Sequence, residues 1–193
     1  VKIIFSRTIP VCLRILKAIP SNDTVRNKIM IFVQRMIILL GVDIVPYMPD
    51  FFPLIISNCK QDDILDVGQM FYQLSLKFKS KAIPAIEGSI LHFLRKCHEL
   101  LSIETCDDKE TALSRKSEVL AIKKVMFATL NQIVSSGCSA VLVSSDNASS
   151  LENVLGIAAE GAINIDDPTI KRTCLQFFKE LVSRWLVESE IDS

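Results

Sequence analysis

Proline returns at a nearly fixed interval in this chain, each time behind an apolar residue. The segments are "RTIPVCLRIL" with Pro10, "DIVPYMPDFF" with Pro46 and "KAIPAIEGSI" with Pro84, which puts successive prolines 36 and 38 residues apart. Proline is tolerated in the first turn of a helix and disfavoured deeper in it. Its recurrence therefore marks one structural corner, the mouth of a helix, used three times.

Each unit also carries a second helix with its own polar or acidic start. These read "NDTVRNKI", "QDDILDVG" and, near the C-terminus, "DDPTIKRT". A period in the high thirties made of two helices is the size of a HEAT-type repeat. The expected fold is all-α: a HEAT-type helical-repeat solenoid of about four to five two-helix repeats. A closed helical bundle with coincidental proline spacing is the alternative.

The run "DTVRNKIMIFVQRMIILLGVDIVPYMPDFF" shows how the units join. Val25, Ile29, Phe32, Val33, Met36 and Leu40 share one face of a helix. Ser21, Asn22 and Asp23 offer N-caps, and Gly41 offers a C-cap. The run is thus the second helix of one unit followed by the first helix of the next. It is not expected to cross a membrane, because Gln34 and Arg35 divide its apolar clusters and neither half approaches the ~20 residues a span needs. Arg7, Arg14 and Lys17 similarly interrupt any signal-peptide core at the N-terminus.

Further helices are expected over 62–80, 86–101, 112–135, 150–163 and 167–186. The polar stretch near 102–112 and the small-residue stretch near 136–149 read as irregular inter-repeat segments. "SAVLVS" within the latter reads as a helical turn rather than a strand. The chain starts on Val inside a periodic pattern, so residues 1–193 are expected to be one array cut from a longer solenoid.

Composition excludes several function classes. Apolar residues make up 49 % and charged residues 23 %, which suits a packed helical protein and argues against disorder. The net charge is zero, but residues 1–100 carry +5 and residues 101–193 carry −5. That asymmetry is compatible with an anionic partner on part of the surface. The six cysteines, Cys12, Cys59, Cys97, Cys106, Cys138 and Cys174, form no CxxC pair and read as reduced, mostly buried thiols.

Catalytic chemistry is not written in the chain, and no enzyme activity is expected. His92 and His98 lie six residues apart, on opposite sides of one helix, so they share no metal. Asp62–Asp63 and Asp166–Asp167 stand at helix starts, where capping and the helix dipole explain them. The six glycines are scattered singly and form no phosphate loop. No metal and no cofactor is implied.

Extended similarity adds to this reading. "TVRNKIMIFVQRMIILLGVDIVPYMPDFFPLIISNC" resembles the C-terminal half of the exportin-T family, nuclear export receptors for tRNA in the karyopherin-β superfamily. The most specific part is "RNKI…F..RM…LG…..PY.P". The stretch from Glu118 to Trp185 is similar as well, and the resemblance is weakest through Glu104–Arg115. It implies a HEAT superhelix that binds mature tRNA with GTP-bound Ran, passes the nuclear pore by contact with nuclear pore proteins, and shuttles between nucleus and cytoplasm. It also implies that the main Ran-binding repeats lie outside this chain.

Candidate RNA contacts are cations on the solvent side of second helices, since phosphates dominate RNA affinity and A-form stems are read by shape. Lys28 and Arg35, seven apart, point outward with Asn27 and Gln34. Lys77 shares a polar face with Gln69 and Gln73. Lys124 faces out with Asn131, while Lys123 lies at the apolar margin. Arg172 and Lys179 belong to a stripe with Gln176 and Ser183. Arg26 falls beside Val33 and Ile37 and reads as structural. Glu180 beside Lys179 and Asp66 near Lys77 weaken those two candidates, and no aromatic stacking platform accompanies the cations. The competing function is a HEAT-repeat scaffold or protein-cargo karyopherin that binds proteins rather than RNA; an all-helical enzyme is a remote third.

Overall fold

The computed structural model describes the backbone of residues 1–103 and 109–191, and side chains over 1–103 and 114–186. It contains helices α1 (Lys2–Ala18), α2 (Asp23–Leu40), α3 (Met48–Ser57), α4 (Gln61–Phe78), α5 (Ile83–Ile86), α6 (Ile90–Leu101), α7 (Lys109–Ser135), α8 (Leu151–Ile163) and α9 (Pro168–Ile191). Short 3-10 helices cover Gly41–Tyr47, Lys79–Ala82, Ser139–Val143 and Ala148–Ser150. No strand occurs among the described residues.

Helix ends follow local chemistry. The Asn22 side chain accepts the Val25 N–H at 3.0 Å and starts α2. Asp63, in the first turn of α4, accepts the Lys60 N–H at 2.9 Å. Asp167 accepts the N–H groups of Thr169 and Ile170 at 2.9 and 3.0 Å and starts α9.

The helices pair as α1/α2, α3/α4, α6/α7 and α8/α9, and the pairs stack. First helices meet as α1–α3–α6, and second helices as α2–α4–α7–α9. This is a helical-repeat solenoid in two layers, with the apolar core between them. Phe52 of α3 stacks on Phe71 of α4 with ring centroids 4.3 Å apart, and Phe71 meets Phe93 of α6 at 5.4 Å. All three rings are fully buried, worth roughly 1.5–3 kcal/mol each in removed apolar surface. The aromatic column thus ties one repeat to the next.

The stretch Asp23–Ser57 is long and apolar enough by composition alone to cross a membrane. In the fold it breaks at Gly41 into two helices. Met30, Val33, Ile37, Phe51, Phe52 and Ile55 pack in the core, and Arg26 is buried among them. Part of its apolarity goes into packing against neighbouring helices, while Ile38, Leu39 and Val42 stay exposed.

Several local expectations change: α7 starts at Lys109, so residues 109–112 of the stretch expected to be irregular are helical, and Pro46 lies inside the 3-10 helix before α3 rather than in the first turn of α3. Pro10 sits in the middle of α1 rather than at its mouth. It lies on the exposed side, where water can meet the carbonyl that its missing N–H leaves without a donor. The helix expected over 86–101 starts later, as α6 at Ile90, after a turn at Glu87–Ser89; Pro84 stands in the first turn of the separate short helix α5.

One corner recurs with a difference. Gly41 ends α2 at φ 59°, ψ −138°, and Lys79 ends α4 at φ 51°, ψ −135°. The two positions are 38 residues apart, and each opens a 3-10 turn that leads to the next proline. Glycine adopts this backbone freely. A residue with a Cβ is held there at a cost of order 1–3 kcal/mol. Lys79 is the one non-glycine residue with positive φ among those described.

Candidate nucleic-acid interface

The cations divide by what holds them. Arg26 is 2 % exposed. Its Nε and Nη2 donate to Asp63 Oδ2 at 2.9 and 2.5 Å, Nη2 donates to Asp23 Oδ1 at 2.8 Å, and Nη1 donates to the Pro20 carbonyl at 3.1 Å. Lys60 reaches the second oxygen of Asp23. Arg26–Asp63 and Asp23–Lys60 both span 37 residues, so the network locks the start of α2 to the start of α4. Arg26 is structural, as its position on the wheel indicates.

Two more arginines satisfy helix ends. Arg115 is buried and donates to the Leu100 carbonyl and, at 3.3 Å, to the Ile103 carbonyl, closing the C-terminus of α6. Arg184 of α9 donates to the Ser135 carbonyl at the end of α7. Orphan carbonyls of a last turn need such donors. Neither arginine had been set apart by the sequence, because each serves a helix distant along the chain.

Lys28, Arg35, Lys77, Lys124, Arg172 and Lys179 are all exposed. They lie on α2, α4, α7 and α9, the four second helices. Lys124 is the exception in its surroundings: its Nζ sits 3.0 Å from Asp167 Oδ2. Asp167 also caps α9, and its carboxyl is held below the usual range by the Ile170 N–H first and by Lys124 second. Among the described residues no ion pair engages Lys28, Arg35, Lys77, Arg172 or Lys179. Glu180 accepts from Gln176 at 2.7 Å, and Asp66 accepts from Gln34 of the preceding repeat at 3.4 Å.

Their neighbours are less uniformly outward than the wheel indicates. Gln34 is half-buried, and Asn131 and Gln73 each carry a buried side-chain oxygen with no hydrogen-bond partner. Adjacent helices of the same layer cover these positions, which a single-helix wheel cannot register. Lys79 and Lys81 were not among the cations the sequence singled out; Lys79 falls within the helix expected over 62–80, but α4 ends at Phe78 and both lysines follow it. Both are exposed and stand beside Lys77.

The first-helix layer contains a gap. A cavity of about 590 Å³ opens between α6 and α8 over α7, lined by Leu91, Leu94, Met126, Phe127, Val154 and Ile157 among others, with Arg95, His98, Lys123 and Glu160 also at its walls. His98 meets no described cysteine there. No group of three or more metal-ligating side chains occurs among the described residues. Cys59, Cys97, Cys138 and Cys174 are buried and Cys12 half-buried. Burial pushes the Cys59 thiol up to about 12 and the Cys138 and Cys174 thiols up to about 11. Cys106 lies outside the described residues.

Fold and surface together define a helical-repeat contact protein: a stacked wall that presents side chains. Comparison with known proteins makes the assignment more specific. The Exportin-T family model matches residues 1–192, and the chain belongs to the exportin-T family. Exportin-T of Mus musculus is 26 % identical over 165 residues, covering 86 % of this chain and 17 % of the relative. Exportin-T of Oryza sativa subsp. japonica is 24 % identical over 191 residues, covering 98 % of this chain and 20 % of the relative. Exportin-T of Arabidopsis thaliana is 21 % identical over 187 residues, covering 96 % and 19 %. The chain thus spans a fifth or less of the length of these relatives. No solved structure matches it.

Proposed function

We propose that this segment forms part of a karyopherin-type nuclear export receptor that binds mature tRNA with GTP-bound Ran. The match to the exportin-T family over residues 1–192 carries the reading. Its role is wall: stacked second helices offer Lys28, Arg35, Lys77, Arg172 and Lys179 to phosphates, and α1–α9 hold the curvature. Lys124 contributes less, since an anion there competes with Asp167 at 3.0 Å. Recognition by shape and phosphate suits an A-form stem, whose deep major groove side chains cannot read. GTP-bound Ran meets mainly other repeats of the receptor, which contacts nuclear pore proteins and shuttles between nucleus and cytoplasm.

The test is titration of the receptor with labelled tRNA across a salt range, with single-stranded RNA of equal length as control. Preferential tRNA binding that weakens with salt, and weakens more for Arg35→Glu than for Lys124→Glu, supports the reading. Equal affinity for both RNAs, or none at low salt, removes it.

A second reading, a scaffold for protein partners, draws on the apolar cavity between α6 and α8. Its signature is salt-insensitive binding of a protein, abolished by Met126→Asp at the cavity wall.

A further inference from the structure

We propose that Lys77, Lys79 and Lys81 form a phosphate-backbone anchor for structured RNA at the turn after α4. The proposal rests on the RNA-binding reading above and narrows it to one edge of the solenoid. Three independent observations carry it.

The first is charge density. Three of five successive residues are lysines, all exposed, and no ion pair engages them among the described residues. The 3-10 turn Gly41–Tyr47 packs against Lys79–Ala82 and brings one carboxylate, Asp43. That carboxylate is already engaged by Lys2 at 2.9 Å. Among the described residues none of the three lysines is paired with a carboxylate, so the turn itself carries net positive charge.

The second is strain. At the equivalent corner one repeat earlier, the same backbone conformation is occupied by Gly41. Glycine at position 79 would satisfy the turn at lower cost. The C-terminal dipole of α4 accounts for a cation at Lys77, in the last turn. It does not account for a lysine in a glycine conformation, or for Lys81 beyond the helix end. Side chains held in unfavourable backbone regions mark functional positions when nothing structural requires them.

The third is rigidity. The Lys79 N–H donates to the Ser75 carbonyl, and Cys138 Sγ donates to the Lys79 carbonyl at 3.1 Å. Ala82, Ala85 and Ile86 just beyond are buried. The turn is fixed on both sides, so the lysines are presented from a set frame and only side-chain freedom is lost on binding.

The experiment uses the full receptor and a folded tRNA transcript, titrated between roughly 50 and 200 mM salt. Each phosphate contact contributes about 0.9 to the slope of log K against log salt on a duplex. The triple variant Lys77→Gln, Lys79→Gly, Lys81→Gln is expected to lose at least about tenfold in affinity at the low-salt end and about 2 to 3 in slope. Lys77→Arg with Lys81→Arg is expected to retain both. Lys79→Gly alone separates structure from function: it should raise Tm by relieving the backbone while weakening RNA binding. If Lys79→Gly raises Tm and leaves RNA affinity and slope unchanged, Lys79 serves no contact and the proposal is overturned. Undiminished affinity and slope in the triple variant overturn the anchor while the RNA-binding reading stands. Failure of the unsubstituted receptor to bind tRNA at low salt overturns both.

Discussion

Arg26 and Asp63 form a buried ion pair between consecutive repeats, with Nε and Nη2 both donating to Asp63 Oδ2 at 2.9 and 2.5 Å. Asp63 also holds the Lys60 N–H at 2.9 Å, so one carboxylate starts α4 and grips α2. Removing only the cation leaves a buried carboxylate without its charge partner. Arg26→Ala is therefore expected to destabilise the fold by about 3–5 kcal/mol. Arg26→Met with Asp63→Leu should cost much less, since the paired desolvation penalty disappears with both charges. A double-mutant cycle by urea unfolding checks this, and equal losses for single and double variants would refute the inter-repeat lock.

The α4–α7 seam depends on a missing side chain. A Cβ on Gly68 would collide with Val125 Cγ2 and stand 3.3 Å from Phe93 Cζ and Thr129 Oγ1. Gly68→Ala gains helix propensity of about 1 kcal/mol but overpacks a buried contact by about 1–3 kcal/mol. Net destabilisation is expected, and Gly68→Ala with Val125→Ala should recover part of it. Thermal melts of the two variants decide.

Acid should loosen the α8–α9 junction. The folded-state pKa of Asp167 is lowered, chiefly by the Ile170 N–H and then by Lys124. Stability from a lowered carboxylate is fully present above the unfolded value near 3.9 and is lost as pH falls through the folded value. Asp23, lowered first by its hydrogen bond from Lys60 and then by Arg26, acts in the same direction. Asp167→Asn should therefore lower Tm at neutral pH and narrow its gap to the unsubstituted protein below about pH 4. A gap that stays constant from pH 7 to pH 3 would contradict this assignment.

Thiol reactivity should rank by burial. Among the described cysteines, Cys12 is half-buried and its thiol only raised, while Cys138 and Cys174 are pushed up to about 11 and Cys59 up to about 12. A thiol at 11 is about one-thousandth thiolate at pH 8, and the thiolate is the reactive form. Native alkylation followed by peptide mapping should label Cys12 first. Faster labelling of Cys97, fully buried and with its thiol pushed up further still, would show that the α3–α6 contact opens readily.

The repeat was legible because it is written locally. Asn22, Asp63 and Asp167 each announce a helix start through a cap within three residues. The positions of Ile29, Val33, Phe71 and Phe177 follow helical periodicity, and all are buried. Pro10 was the misleading member of its series: it sits mid-helix on the exposed side, where water can serve the carbonyl that its missing N–H leaves without a donor. The candidate surface was legible only in part. All six chosen cations are exposed, but the wheel could not show that Asp167, 43 residues on, sits against Lys124, or that neighbouring helices cover Asn131 and Gln73.

The sequence by itself determined the helices, their caps and the two-helix period, because each depends on interactions within a few residues. Tertiary structure alone decided which charges remain free for a partner. Arg26, Arg115, Lys124 and Arg184 are drawn to acceptors on other helices, and Lys79 takes a glycine's backbone at a corner shared with Gly41. These outcomes depend on how stacked repeats meet in space, where a carboxylate or carbonyl distant in the chain stands within hydrogen-bonding reach.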